Sequence, residues 1–216
     1  MPESPLEALL NEEKSVTPDL SVRQFVLRTL AWVPVTFVCW YLAAALFSWP
    51  AITLSDFILP LIFPGVIEGV EQQGYLVDVV TTLDVMQNGR GGQIVLDFNA
   101  LKYGYGLPLI LAMMFATPYS LYDKLDNITY GLGLVILAQT WGIVFEALSI
   151  LMLKTGPEVT GQVTAILPWA GNRIFLDGVA LSYQLGSLIL PAVVPIVFWI
   201  IRHQEFLDHL STRRSH

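Results

Sequence analysis

A chain that carries out chemistry needs a nucleophile with a base beside it, a set of metal ligands, or placed acids. The candidates in this sequence are few. Its single cysteine, Cys39, stands in the apolar run "TFVCWYLA" with no His, Lys or Arg within a helical turn. A thiol needs such a neighbour to become a nucleophile, so Cys39 reads as apolar filling. The three histidines, His203, His209 and His216, all follow the last apolar run. His203 and His209 are six residues apart and do not share a helical face. A Cys–His pair, a metal set and a cofactor site are therefore not expected.

Acids are the better candidates. Glu146 is the carboxylate inside an otherwise apolar run, with Gln139 two helical turns earlier. A carboxyl at membrane depth is costly and marks a functional site by default; an interhelical hydrogen bond or a place near the outer interface explains it equally well. Asp78, Asp84 and Asp97 alternate with apolar residues. That spacing gives either paired carboxylates for acid–base work or the solvated face of a sheet, and the second is the commoner origin. Arg173 and Asp177 are four apart in "NRIFLDG", which supports a helix start or leaves Arg173 for an anion. Asn99, Lys102, Tyr103 and Tyr105 crowd a junction between an alternating stretch and an apolar one. Tyrosine at such a place is commonly an interfacial anchor. "Asn127-Ile-Thr" matches a glycosylation acceptor but falls on the expected cytoplasmic side, where it has no meaning.

The elements that position these residues follow from composition and period. The chain has 216 residues, 54% hydrophobic and 13% charged, with mean hydropathy +0.60. Soluble domains carry about 25% charged residues, so this is an integral membrane protein. The net charge of -7 argues against a nucleic-acid partner. Residues 1–24 are acidic and polar, unlike a signal peptide, and read as a cytoplasmic N-terminal tail. One membrane domain, residues 25–201, follows, and 202–216 form a cytoplasmic C-terminal tail.

Within the membrane domain the first span covers Phe25 to Phe47, with Pro34 as a kink. Residues 51–70 are broken by Pro60, Pro64 and Gly65 and read as interfacial or re-entrant. Residues 75–100 form a β-hairpin. Val77, Val79, Thr81, Leu83 and Val85 fall on one face of its first strand, and Ile94, Leu96, Phe98 and Ala100 on one face of its second. Asn88-Gly89 is the turn signal between them. The second span runs from Gly106 to Tyr122 with Pro108 in its first turn, and the third from Ile128 to Leu153. An outer loop, 154–178, precedes the fourth, Val179 to Ile201. The fold class is a mainly α membrane protein with about four transmembrane helices and an extracytoplasmic β-hairpin between the first and second. Lys14, Arg23, Arg28, Lys124, Arg202, Arg213 and Arg214 fall on the side of the termini, which places both termini in the cytoplasm.

An outer hairpin running into a short membrane helix, then a long helix, a loop and a final helix, is similar to the core of exosortases and archaeosortases. Those enzymes recognise C-terminal sorting signals of surface proteins and cleave or transfer them. In them the strand ends at a Cys-Ser-Gly-like motif, completed by an arginine and a histidine at the outer ends of later helices. Here that stretch reads "DFNALKYGYGLPLILAMMFATP", with Leu101 to Tyr103 in the cysteine's place. The string "KYGYGLPLILAMMFATP" resembles the exosortase H-associated membrane proteins. No catalytic residue carries over.

The resemblance implies a non-catalytic accessory protein of the bacterial inner membrane that assists an exosortase-type transpeptidase in sorting. Its expected partners are that transpeptidase or sorting-signal helices, and membrane lipids. The docking residues are expected to be Asn99, Lys102, Tyr103, Tyr105 and Arg173. The other reading is a membrane-embedded protease or lipid-modifying enzyme using Glu146 with Asp97 or Arg173.

Overall fold

The computed structural model describes residues 21–87, 90–118, 120–204 and 207. Most of both expected tails, the Asn88-Gly89 turn, His209 and His216 lie outside the described residues. Helix α1 spans Val22–Leu42. Ser21 and Gln24 start it by exchanging side-chain and backbone hydrogen bonds, Gln24 N to Ser21 Oγ at 3.3 Å and Ser21 N to Gln24 Oε1 at 3.0 Å. This reciprocal pair satisfies two N–H groups that the first turn leaves open. Helix α2, Ala44–Ile62, follows after one residue. The joint, Ala43, has φ -102° and ψ 19°. Its N–H still donates to Cys39 O at 3.1 Å and its carbonyl accepts from Phe47 N–H at 3.1 Å. The two helices are one bent rod.

The sequence reads 51–70 as interfacial or re-entrant instead of a clear span; in the structure its first part, up to Ile62, is continuous helix despite the prolines. Pro50 and Pro60 lie inside α2, each removing one backbone bond. Burial of Ala51, Ile52, Ser55 and Leu59 holds the helix across these gaps, because packing of one face outweighs propensity. Gly65, at φ 73°, then turns the chain into a strand. The sheet has three antiparallel strands in the order β1-β2-β3, Ile67–Gln73, Leu76–Gln87 and Arg90–Asn99. The hairpin expected at 75–100 is β2 and β3, with the expected inward faces: Val77, Val79, Leu83, Leu96, Phe98 and Ala100 are buried. The extra strand, β1, gives the hairpin the support that an isolated pair lacks.

After β3 come α3 (Leu101–Gly104), α4 (Gly106–Ala116) and α5 (Leu121–Ser149), the last extended by a π-helical turn, Ile150–Lys154. Then follow α6 (Pro157–Ile166), a 3-10 turn (Pro168–Gly171), α7 (Arg173–Gln184), a second π-helical turn (Leu185–Ile189) and α8 (Leu190–Arg202). Four helical stretches are long and apolar enough to cross a membrane: Val22–Leu42, Ala44–Ile62, Tyr122–Lys154 and Arg173–Arg202. The count agrees with the sequence reading, but the members differ. The expected second span is a shorter apolar helix, Leu101–Ala116. Counted by length and apolarity, the sheet follows the second such helix instead of the first.

Side-chain contacts sort these elements into two cores stacked end to end. The first gathers Trp40, Leu107, Ile110, Met114, Val135 and Trp199. The second gathers the inner face of the sheet with Leu59, Phe63, Tyr103, Ile143, Leu148 and Leu151. Two layers of contacts bound the first core. In one, Phe25 stacks on Trp199, Trp199 Nε1 donates to Thr117 Oγ1 at 3.1 Å, and Arg202 meets Asp126 at 3.1 Å. In the other, Trp141 Nε1 donates to Ser182 O at 3.1 Å, Tyr41 pairs with Tyr75, and Gly142 meets Tyr103 and Gly186. Along α1, α3–α4, α5 and the 182–199 stretch alike, the layers are about 24 Å apart at 1.5 Å per residue. One further turn at the Phe25 end brings this to about 30 Å, the thickness of a bilayer's hydrocarbon.

Glycines set how closely the helices of the first core approach. A Cβ on Gly142 would overlap the Tyr103 ring, whereas one on Gly133 would meet nothing within 4 Å. Gly142→Ala is therefore expected to cost about 1–3 kcal/mol through overpacking. Gly133→Ala should be neutral or stabilising by up to about 1 kcal/mol. Thermal unfolding of the two variants in the same detergent checks this.

Candidate functional site

The junction between β3 and α4 is built from backbone upward. Ala100 N–H donates to Tyr75 O at 3.0 Å, which ties the strand's end to the β1–β2 turn. Asn99 Oδ1 then accepts from Leu101 N–H at 2.8 Å and starts the short helix α3, as an Asx side chain does where a helix begins. The alternation in "KYGYG" has a packing cause. Gly104 lies under Gln139 and Trp40, and a Cβ on Gly106 would lie 2.6 Å from Pro191 O. The glycines let the backbone approach its neighbours, and the tyrosines between them point away into contacts of their own.

Tyr103 points into the second core and is 0% exposed. Its hydroxyl donates to Glu146 Oε2. Glu146 is itself only 3% exposed, and its Oε1 accepts from Lys102 Nζ at 3.4 Å and from Lys154 Nζ at 3.3 Å. One buried carboxylate thus gathers a phenol and two ammonium groups from two stretches of chain. The lysine side chains are about half exposed, 48% and 46%, so their heads are the cluster's contact with the outside. Lys154 Nζ also stands 4.5 Å from the centre of the Tyr183 ring, a cation–π contact. The cluster lies just beyond the Trp141–Ser182 layer.

The π-helical turn explains how Lys154 reaches Glu146. In a regular helix a residue eight positions on is rotated about 80° off the face. The π turn absorbs one residue, so Lys154 returns to nearly the same face. The second π turn also borders this level: Gly186 packs on Gly142, and Tyr105 Oη donates to Leu188 O at 3.4 Å.

The expected docking residues are only partly brought together. Lys102 is in the cluster and reaches the surface. Tyr103 is enclosed and meets Glu146. Asn99 and Tyr105 are half-buried and serve as a helix start and a contact to the second π turn. Arg173 is 93% exposed and faces Asp177 at 3.8 Å. It starts α7 and so lies about 15 Å along that helix from Tyr183, away from the junction. The structure does not bring Glu146 and Arg173 together. Asp97 is exposed on the sheet's outward face, where it stands opposite Asp78, itself opposite Glu71. Asp84 is likewise outward. The reading of these acids as a solvated face holds.

Cys39 is exposed on α1. His203 is 1% exposed at the other end of the molecule, its Nδ1 2.8 Å from Trp199 O; it belongs to the helical bundle and not to a tail. No group of His, Cys, Asp and Glu that could hold a metal ion occurs among the described residues. Sequence reasoning missed Lys154 and Tyr183. The eight-residue spacing from Glu146 was visible, but only the π turn makes it a contact.

A bent apolar rod, two further long apolar stretches and a mixed domain joined to them through a buried charge cluster define a multi-pass membrane protein. Its chain belongs to the family of exosortase H-associated membrane proteins, whose sequence profile matches residues 19–206. No curated protein and no solved structure matches it.

The cluster's weakest point is predictable. Glu146→Ala leaves the Tyr103 hydroxyl buried without its acceptor, a loss of about 1–3 kcal/mol. Lys102→Met or Lys154→Met should cost under about 1 kcal/mol each, because a half-exposed ammonium is well solvated. Tyr103→Phe combined with Glu146→Ala should cost less than the sum of the two, as for groups in direct contact. Thermal unfolding of the four single variants and the double variant tests the order.

Proposed function

We propose that this chain is a non-catalytic accessory protein that assists an exosortase-type transpeptidase in the C-terminal sorting of surface proteins. Membership of the exosortase H-associated family supports the association with an exosortase. The observation that carries the reading further is the Glu146 cluster. It locks the end of β3 to α5 just beyond the Trp141–Ser182 layer, so the sheet is held at a fixed height above the membrane bundle. A transpeptidase that cuts close to a transmembrane segment works at that height. A rigid platform there can position either the enzyme or a sorting-signal helix.

In this reading the protein sits in the bacterial inner membrane with both termini in the cytoplasm and the sheet outside. Arg23, Arg28, Lys124 and Arg202 gather at the Phe25–Trp199 end, in line with the positive-inside rule. The outward sheet face carries the row Glu71, Asp78 and Asp97, which requires water. Of the junction residues, Lys102 is the one placed to touch a partner.

The test is photo-crosslinking in native membranes with the probe at Lys102. The expected outcome is an adduct with an exosortase or a sorting-signal helix, absent when the probe replaces Arg173. Adducts with lipid alone would sink the docking role of the junction.

A further inference from the structure

We propose that helix α2 does not cross the membrane. It is an interfacial helix on the side of the sheet, and its outer stripe, Leu46, Pro50, Leu54, Phe57 and Leu61, seats on the acyl chains of that leaflet. Length and apolarity alone make α2 a candidate span. Its neighbours rule that out. Strand β1 runs beside α2: Asp56 Oδ1 accepts from Val70 N–H at 2.7 Å, and Gln72 Nε2 donates to Ala45 O at 2.9 Å. These two contacts are about 16 Å apart along the helix. If α2 crossed, β1 would cross with it. β1 carries exposed Glu68, Glu71 and Gln73 and is the edge of the sheet. Exposed carboxylates such as Glu68 and Glu71 do not lie in hydrocarbon.

The path of the chain agrees. Rod α1–α2 covers 22 to 62, about 60 Å of helix, twice the hydrocarbon thickness. α1 uses up that thickness by Tyr41. The bend at Ala43 then lets α2 run obliquely over the bundle. Along it Ser48 lies beside Gln139, hydrogen-bonded at 3.1 Å, and just past its end Phe63 packs against Trp169 and Phe175.

The stripe names its own occupant. Spacings of four, four, three and four place these five residues on one side of a helix. Leu46, Phe57 and Leu61 are 69%, 72% and 70% exposed. Leu54 belongs at once to this stripe and to an apolar groove of about 670 Å³ on the bundle's flank, lined also by Gly133, Leu134, Leu137 and Phe198. That flank lies between the two contact layers, at the level of the hydrocarbon. The stripe therefore continues a surface that faces lipid. Exposed Trp49 beside it suits the headgroup boundary. An amphipathic helix so placed sinks its apolar side about 5–10 Å into that boundary.

The inference stands independently of the accessory role, and its test uses the full-length protein in liposomes. On a Cys39→Ser background, nitroxide labels are attached to single cysteines replacing Leu46, Leu54, Phe57 and Leu61, with Asp97 as the control. Collision with oxygen and with a water-soluble nickel chelate reports depth. The expected result is shallow immersion at all four stripe positions, within about 10 Å of the headgroups, with Asp97 open to nickel. A depth profile that passes through the bilayer centre between Leu46 and Leu61 would restore α2 as a span and overturn the proposal. So would four stripe labels as open to nickel as Asp97. Labels shielded from both reagents would assign the stripe to a protein contact or a second copy instead of lipid, and equally overturn it. Leu46, Phe57 and Leu61 are highly exposed, so these substitutions leave the fold intact; thermal unfolding of each variant confirms that before depth is read.

Discussion

The carboxylate of Glu146 is the tie on which the rest of the molecule depends. The two cores share the long helix α5, but the sheet joins the helical bundle covalently only through Ile62 to Ile67 and Asn99 to Leu101. Such short connections would let the sheet swing. Glu146 prevents this by binding Tyr103 on one side of the junction and Lys102 beside it, while Lys154 closes the same oxygen from further along α5. A buried carboxylate is stable only when its lone pairs are taken up by donors. The three donors come from two stretches of chain, α3 and α5. The demand of one charged group is thereby converted into a fixed angle between two bodies.

The second constraint is thickness. The three rods measure about 60, 50 and 45 Å by their residue counts, against about 30 Å of hydrocarbon. None fits inside a bilayer, so each must serve two solvents in turn. Their composition barely changes along the way, because the outer halves pack on a sheet and on one another and need apolar faces there too. What changes is the neighbour: lipid and the other bundle helices in one half, strands with polar outward faces in the other. Small residues mark the boundary. Gly104, Gly106, Gly142 and Gly186 all lie near the Trp141–Ser182 layer, where α3–α4, α5 and the second π turn come closest.

This explains what the sequence could and could not disclose. Period two in 75–85 and 93–100 identified both strands and their inward faces, because a half-buried strand must alternate. The apolar runs revealed a membrane protein with the right number of long helices. They could not say which helices these were. Pro60, Pro64 and Gly65 disguised α2 as a broken segment, since two prolines weigh heavily in a local reading and the burial of Leu59 and Ser55 against distant strands is invisible there. β1 was hidden for a related reason: "IEGVEQQ" is too polar and too irregular to show a period. It exists because Asp56 and β2 supply partners for its backbone. At the site, Glu146 and Lys102 were singled out separately by cost and by place. Their meeting, across 44 residues of chain, was not legible.

The fate of Tyr103 bears on what such a junction is for. In the exosortase-like arrangement that the sequence resembles, the place where the strand hands over to the helix holds a nucleophile and must be open to a peptide. Here the corresponding place is closed. Tyr103 is fully buried, lies against the Gly142 backbone and spends its hydroxyl on Glu146. A side chain so enclosed cannot reach a scissile bond without dismantling the tie that holds the sheet in register with the bundle. The cationic heads of Lys102 and Lys154 are what remain outside. They offer hydrogen bonds and charge at a fixed height, which suits holding something in place. The same position in the fold can therefore be open or closed, and in this chain Tyr103 and Glu146 close it.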